Sequence, residues 1–318
     1  MKLLFNREVN SEKQGQKEIK ETLGFLSADM SFTNLESDII LCTPDLIDLI
    51  GTEVYDKMAD FYNGEDNPPT ENAEVERHNK AVKYAQIYIL SMAYLDYASD
   101  NDLNHGNDGR TVRTEEDQDK PFEWQVNKSN SSIKKRGYKA LDQLMLLLDS
   151  SGWTEWTGSD QYKQANSIFI KNTKEFDTVF PINKSGQLYY RLVPFMADIE
   201  SDKVSPILGK DVFESLKTEE SPDAGQKELQ RLVKKAVAHL SLGKALKAFP
   251  VEMFPDGIVY SENTRMKSEA RAEVMQFMNK EGNDYLIKLE HVFSQQNQTF
   301  EQINLTQGLS EGSKHVSL

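Results

Sequence analysis

The side chains able to do chemistry are scattered along this chain, and their spacing fits no familiar constellation. Five histidines, His78, His105, His239, His291 and His315, stand far apart, and none has a partner at metal-ligand spacing. The one cysteine, Cys42, cannot form an internal disulfide or a zinc site built on several thiolates. It reads as a small buried hydrophobe beside a helix start rather than as a reactive thiol. Gly243-Lys244 resembles the end of a phosphate-binding loop, but Ala245 occupies the position of the magnesium-binding hydroxyl and no glycine lies between Ala236 and Leu242. A small residue in a packed helix is the plainer reading. Asp100, Asp102 and Asn104 supply the first oxygens of a calcium loop. His105 then replaces its glycine and Thr111 its bidentate glutamate, so a solvated loop is expected. No HExxH, CxxC or GxSxG segment occurs. No catalytic residue, metal site or cofactor is expected.

Carboxylates are abundant, 51 Asp and Glu against 37 Lys and Arg in 318 residues, a formal charge of −14. Abundance makes any chosen acid–base pair uninformative. The excess of acid also argues against a surface that grips phosphates, which needs a basic patch, while leaving room for one that nucleic acid passes without sticking. Hydrophobic residues make up 38%, enough for packed cores, and the length suggests two domains. The apolar runs fall well short of the roughly 20 residues of a membrane span. Met1 to Phe5 lacks the apolar core of a signal peptide, so no membrane role is expected and folding in a reducing cytoplasm fits.

The elements that would position any site repeat along the chain. Leu35-Glu36-Ser37-Asp38 recurs as Ile199-Glu200-Ser201-Asp202, and Ile50-Gly51 through Met58 as Leu208-Gly209 through Leu216. Val82-Lys83 with Ala85 matches Val233-Lys234 with Ala236, and Asp108-Gly109 matches Asp256-Gly257. Gly137, Leu141, Leu144 and Leu148 match Gly282, Leu286, Leu289 and Phe293. The order is kept and the offset shrinks steadily, as a tandem duplication with shorter loops in the second copy would produce.

Within each copy the pattern is helical. Thr43-Pro44-Asp45 reads as a helix start, and Ser205-Pro206 repeats the hydroxyl–proline pair. Ala81, Tyr84, Ala85, Tyr88, Met92 and Leu95 form a stripe widened by Ile87 and Leu90. Leu229, Leu232, Val233, Ala236, Val237 and Leu240 form its counterpart. Stripes this wide belong to central helices. Closing helices are expected over Ile133–Asp149 and roughly Lys267–Phe293, a strand over Ser167–Ile170 and a short helix over Thr173–Phe180. The fold class is therefore mainly α: two tandem, related helical bundles with small β-hairpin or arm elements and a flexible C-terminal tail. The expected divisions are a first domain over 1–150, a linker over 151–166 anchored by Trp153 and Trp156, a second domain over 167–293, and a Gln/Asn/Ser-rich tail over 294–318.

Two groups of segments carry a resemblance. One runs from Phe5-Asn6-Arg7-Glu8-Val9 through Leu23-Gly24-Phe25-Leu26-Ser27-Ala28-Asp29-Met30 to Ile50-Gly51-Thr52-Glu53-Val54-Tyr55. The other comprises Phe169-Ile170-Lys171, Glu175-Phe176, Phe180-Pro181-Ile182, Leu192-Val193-Pro194 and Ile207-Leu208-Gly209. They resemble a domain family of unknown function from phages and prophages of the Bacteroidetes, over most of the chain except the tail. The organisation is also similar to that of the small helical head–tail connector proteins of tailed phages, which extend an arm and form a ring beneath the portal.

That resemblance implies a non-enzymatic virion structural protein of the head–tail junction, folded in the host cytoplasm. Its implied partners are the portal protein, other neck and tail proteins and further copies of itself in a ring, with DNA passing nearby unbound. On this reading the inter-subunit contacts fall on the arm loops and tail: Arg110, Val112, Arg113, Ile258, Val259, Tyr260, Phe300, Ile303 and Leu305. The alternative is a soluble phage- or prophage-encoded adaptor or regulator with a single protein partner. An enzyme built from dispersed carboxylates has no motif behind it.

Overall fold

The computed structural model describes residues 1–6, 8, 16–27, 30–65, 69–101, 103–106, 109–112, 121–255 and 268–297. The first half is built from α1 (Lys17–Leu23), α2 (Phe32–Ile50), α3 (Thr52–Asn63), α4 (Asn72–Asn101) and α5 (Glu123–Ser151). Between α4 and α5, β1 (Leu103–Gly106) pairs antiparallel with β2 (Gly109–Val112), Leu103 opposite Val112 and Gly106 opposite Gly109. The three oxygens tested as a calcium loop are thus divided. Asp100 ends α4, Asn104 lies on β1, and Asp102 between them is outside the described residues.

Short helices α6 (Thr154–Thr157) and α7 (Asp160–Asn166) follow, then α8 (Thr173–Val179). The expected strand over Ser167–Ile170 is a run of turns instead. Ile168, Phe169 and Ile170 are each buried by the helices around them, and among the described residues no neighbouring strand offers a ladder to pair with. The second half continues with α9 (Gly186–Ile199), a π turn (Glu200–Val204), α10 (Ser205–Leu208), α11 (Lys210–Thr218), α12 (Ala224–Ala248), a 3₁₀ turn (Val251–Met253) and α13 (Ser268–Asn297).

Two expectations about helix ends need correcting. Thr43-Pro44 is no helix start; it lies inside α2. Pro44 has no N–H to give the turn before it, and the Thr43 hydroxyl donates to the Ile39 carbonyl at 2.6 Å. Burial of Ile39, Cys42, Thr43 and Leu46 along one face carries the helix through the proline. The tail boundary at Ser294 also moves, because α13 runs on to Asn297.

The duplication is clearest at its glycines. Gly51 (φ 87°, ψ 151°) and Gly209 (φ 74°, ψ 151°) share one backbone conformation, essentially closed to residues with a Cβ. Each closes the preceding helix, Gly51 N–H to the Ile47 carbonyl and Gly209 N–H to the Ser205 carbonyl. Each also opens the next, accepting from Tyr55 and Phe213 respectively. Gly137 and Gly282 match in a different way. A Cβ on Gly137 would lie 2.7 Å from the Met92 methyl, and one on Gly282 would lie 2.5 Å from Leu240 Cγ. Both glycines let the closing helix press against the central helix of its own half. Gly243 does the same from the α12 side, facing Asn279, which settles it as a packing glycine.

The first of the matched segments does not hold its place. Glu36 lies fifteen residues before Gly51 but Glu200 only nine before Gly209, and both stretches are helical up to the glycine. The two motifs therefore sit on different turns. The π turn, with Ser205 N–H bonded to the Glu200 carbonyl, is how the second half accommodates Pro206.

One apolar cluster runs through both halves, from Leu4 to Leu289. The N-terminal segment threads the first half, its Leu4 carbonyl taking a hydrogen bond from Gln86 at 2.7 Å and its Lys2 carbonyl one from Tyr55. Trp156 is fully buried between the halves, and its indole N–H donates to Asp149. Among the described residues, no helix is long and apolar enough to cross a membrane.

Candidate functional site

Three places gather polar chemistry: the hairpin that follows α4, a buried carboxylate on the π turn, and a groove along the seam between the halves. At the arm, Arg110 and Val112 lie on β2, facing His105 and Leu103 in the ladder. Arg113, Ile258, Val259, Tyr260, Phe300, Ile303 and Leu305 lie outside the described residues. The chain re-enters at α5, where Phe122 N–H bonds the Gln125 carboxamide, and the adjoining Phe122 and Trp124 are 68% and 58% exposed.

Glu200 is fully buried. One oxygen accepts from Phe169 N–H at 2.7 Å, and the other meets the Lys217 ammonium at 3.4 Å. Lys217 in turn lies 4.2 Å from the centre of the Phe213 ring. Burial pushes the Glu200 carboxyl up to about 7, against the pull of the Phe169 bond and Lys217. A carboxyl near neutrality is a feature of catalytic sites, yet this one is sealed from solvent, with one oxygen hydrogen-bonded and the other held only by the ion pair to Lys217. His239 is similar: burial lowers its pKa, its Nδ1–H donates to the Lys235 carbonyl, and its ring sits between Phe180 and Tyr285. Cys42 is buried within α2, and burial beside Asp96 pushes its thiol up to about 12. It is an inert thiol. Among the described residues, no group of three or more His, Cys, Asp or Glu side chains could hold a metal ion.

The seam is the more open feature. There α5 packs on α9 so closely that a Cβ on Gly186 would lie 2.6 Å from Met145 Cβ. Asp142 on α5 reaches across, accepting from the Ser185 hydroxyl at 2.8 Å and from Gln187 N–H at 3.1 Å. Its half-buried position pushes the carboxyl up to about 6 despite those two bonds. Beside it opens a groove of about 620 Å³, in which Lys135, Lys139 and Lys184 share the lining with Asp142 and Glu252 and with the apolar Leu146, Phe254 and Pro255. Lys184 comes from a turn in which it and Asn183 both take positive φ, 57° and 52°. That turn is held by Asp177, whose carboxylate accepts from Ile182 and Lys184 N–H. A second cavity of about 360 Å³ adjoins at Tyr138 and Met253 and holds Arg191. Sequence reading missed this seam. Asn183 is a turn former, but nothing in a linear chain shows that Lys184 will face Lys135 and Lys139.

A domain family described as Family of unknown function (DUF6712) matches residues 46–166 and 204–310. The chain belongs to this family. The two stretches matched by the DUF6712 family each begin just before or within the helix that ends at Gly51 or Gly209. Each takes in the central helix and the closing helix with its Gly137 or Gly282. The family thus occurs twice in one chain, as a tandem duplication of a helical unit. The seam groove draws its lining from both DUF6712 stretches, Lys135–Leu146 in the first and Glu252–Pro255 in the second, and from Asn183 and Lys184 between them. No curated protein and no solved structure matches the chain.

Proposed function

We propose that the protein is a non-enzymatic structural component of a phage head–tail junction, a ring-forming adaptor that binds the portal and the neighbouring neck or tail proteins. The observation that carries the reading is the pair Phe122 and Trp124, large aromatics in water at the start of α5, the helix that follows the β-hairpin in sequence. A chain that buries its polar chemistry in structural contacts and exposes aromatics at a helix start is organised for binding protein. The charge of −14 supports the same reading, since the wall of a DNA passage must repel phosphates rather than hold them. The resemblance to connector proteins supplies the partners.

The test is negative-stain imaging and sedimentation of the purified chain, alone and mixed with its portal protein. Rings of defined copy number, free or on the portal, are the expected result. A monomer that ignores the portal would sink the proposal, and a one-to-one complex with some other protein would favour the adaptor alternative.

A further inference from the structure

We propose that two copies of this chain join by repeating the seam that joins its two halves. In this contact α13 of one copy packs against the start of α2 in the next, as α5 packs against α9 within the chain. The inference rests on the ring reading above and deepens it by naming the two surfaces that meet.

The halves correspond residue by residue ahead of their turn glycines. α1 and α8 are both seven residues long, and each packs against the central helix of its half. At one constant spacing, the buried Ile19, Phe32, Leu35 and Ile39 match the buried Phe176, Tyr189, Leu192 and Met196. The π turn then adds one residue, so Gly209 follows Gly51 by one more. On the same spacing Phe25, Met30 and Thr33 match Ile182, Gln187 and Tyr190. With Gly137 matched to Gly282, Asp142 and Met145 of α5 match Ile287 and Glu290 of α13.

These positions are covered at the internal seam and open at the two ends of the tandem. Ile182 and Gln187 are fully buried, and the Tyr190 hydroxyl donates to Asp149 at 2.6 Å. In the first half Thr33 is exposed and Phe25 is 46% exposed. Met145 is fully buried, whereas Glu290 is exposed and Ile287 is 64% exposed. The first unit of a tandem has no predecessor and the second no successor. Among the described residues, each therefore keeps one half of a seam uncovered.

The residues exchanged on the two faces match each other. Asp142 meets polar groups, the Ser185 hydroxyl and Gln187 N–H, and Ser185 N–H bonds the Ile182 carbonyl one turn away. Between copies Ile287 replaces that carboxylate and faces Met30 and Phe25, so apolar meets apolar and two large side chains leave water. Glu290 stands in place of Met145, so the close approach at Gly186 is not repeated and this contact is looser than the internal seam. The two faces differ, which makes the contact heterologous. It repeats from copy to copy and closes into a ring when the rotation allows.

Sedimentation velocity of the full chain, alone and with the portal protein, tests the contact with Phe25→Glu, Ile287→Lys and the two combined. The first substitution leaves a carboxylate beside Arg136 and the second lies in water, so the variants should fold, which circular dichroism checks. The expected result is a wild-type oligomer, single variants that assemble about tenfold more weakly or worse, and a combined variant that recovers most of the loss by pairing the new charges across copies. Single variants that assemble like the wild type overturn the inference and leave the ring reading in place. So does a combined variant no tighter than the singles, because the two residues then do not meet. A wild-type chain that binds the portal only as separate monomers rejects this contact and keeps the head–tail reading. One that stays monomeric and ignores the portal rejects both.

Discussion

The closing helices α5 and α13 are equivalent in the duplication, yet their surroundings differ. On α5, Gly137, Tyr138, Leu141, Leu144, Met145 and Leu148 are all buried, because α4 covers one side and α9 the other. On α13, Gly282 and Leu289 are buried against α12, but Leu286 and Phe293 are only partly covered, and Phe277 and Ile287 are 54% and 64% exposed. The repeated unit supplies one packing partner for its closing helix. The second partner of α5 is the other half of the chain, whereas among the described residues α13 meets, beyond α12, chiefly the short α10. Among the described residues, duplication thus leaves one seam covered and the equivalent face of α13 more exposed, from similar sequences.

The helices ahead of the two glycines differ in another respect. Nine residues before Gly51 stands Cys42, and nine before Gly209 stands Glu200. Titration separates them. Below the ordinary carboxyl value of 4.5 Glu200 is protonated in both folded and unfolded chains. Between 4.5 and about 7 only the folded chain holds the proton, so stability should fall by up to about 3 kcal/mol as pH rises through that window. Chemical denaturation at pH 5 and pH 8 should show this slope in the wild type and a flatter one in Glu200→Gln. Cys42→Ser should leave the slope as it is, since that thiol titrates far above the window. An unchanged slope in Glu200→Gln would mean the carboxyl does not carry it.

The close-approach glycines come next. Gly282→Ala should cost about 2–3 kcal/mol, because the new methyl meets the branch point of Leu240 and, at 3.2 Å, its backbone nitrogen. Gly137→Ala should cost about 1 kcal/mol, because the atom it meets most closely is the mobile end of Met92. Thermal melts that rank them the other way would show that the two helix pairs are not packed alike.

At the turn glycines the halves should agree. Gly51→Ala and Gly209→Ala each force a Cβ into the same disallowed backbone region, at a cost of about 1–3 kcal/mol. Gly51 should be slightly the more sensitive, since Gln161 lies 3.4 Å from the added carbon while Gly209 faces open space. Costs that differ several-fold would break the equivalence. The smallest effect has the opposite sign. Lys184→Gly should raise stability by about 1 kcal/mol in a urea titration by relieving the left-handed turn.

Particular residues show how much of this was legible beforehand. The stripe from Leu229 to Leu240 is buried throughout, because a helix with a wide apolar face has only one way to hide it. In the first copy Ile87 proved half-buried while the unremarked Ile89 is sealed, since α4 is covered by α2 as well as α5. Periodicity does not say how many neighbours a helix will have. The Thr43-Pro44 reading failed for the same reason, as burial of the residues around Pro44 outweighs its local preference to begin a helix, whereas Ser205-Pro206 does open α10.

Composition and spacing by themselves determined that the chain is helical, acidic, duplicated and without a recognisable catalytic motif. Those properties follow from local periodicity and residue chemistry. Only the tertiary structure decided that Glu200 is sealed beside Lys217, that Asp142 bridges α5 to α9, and that Lys135, Lys139 and Lys184 share a groove. Each joins residues far apart in sequence, and the packing of one half against the other sets which of them meet.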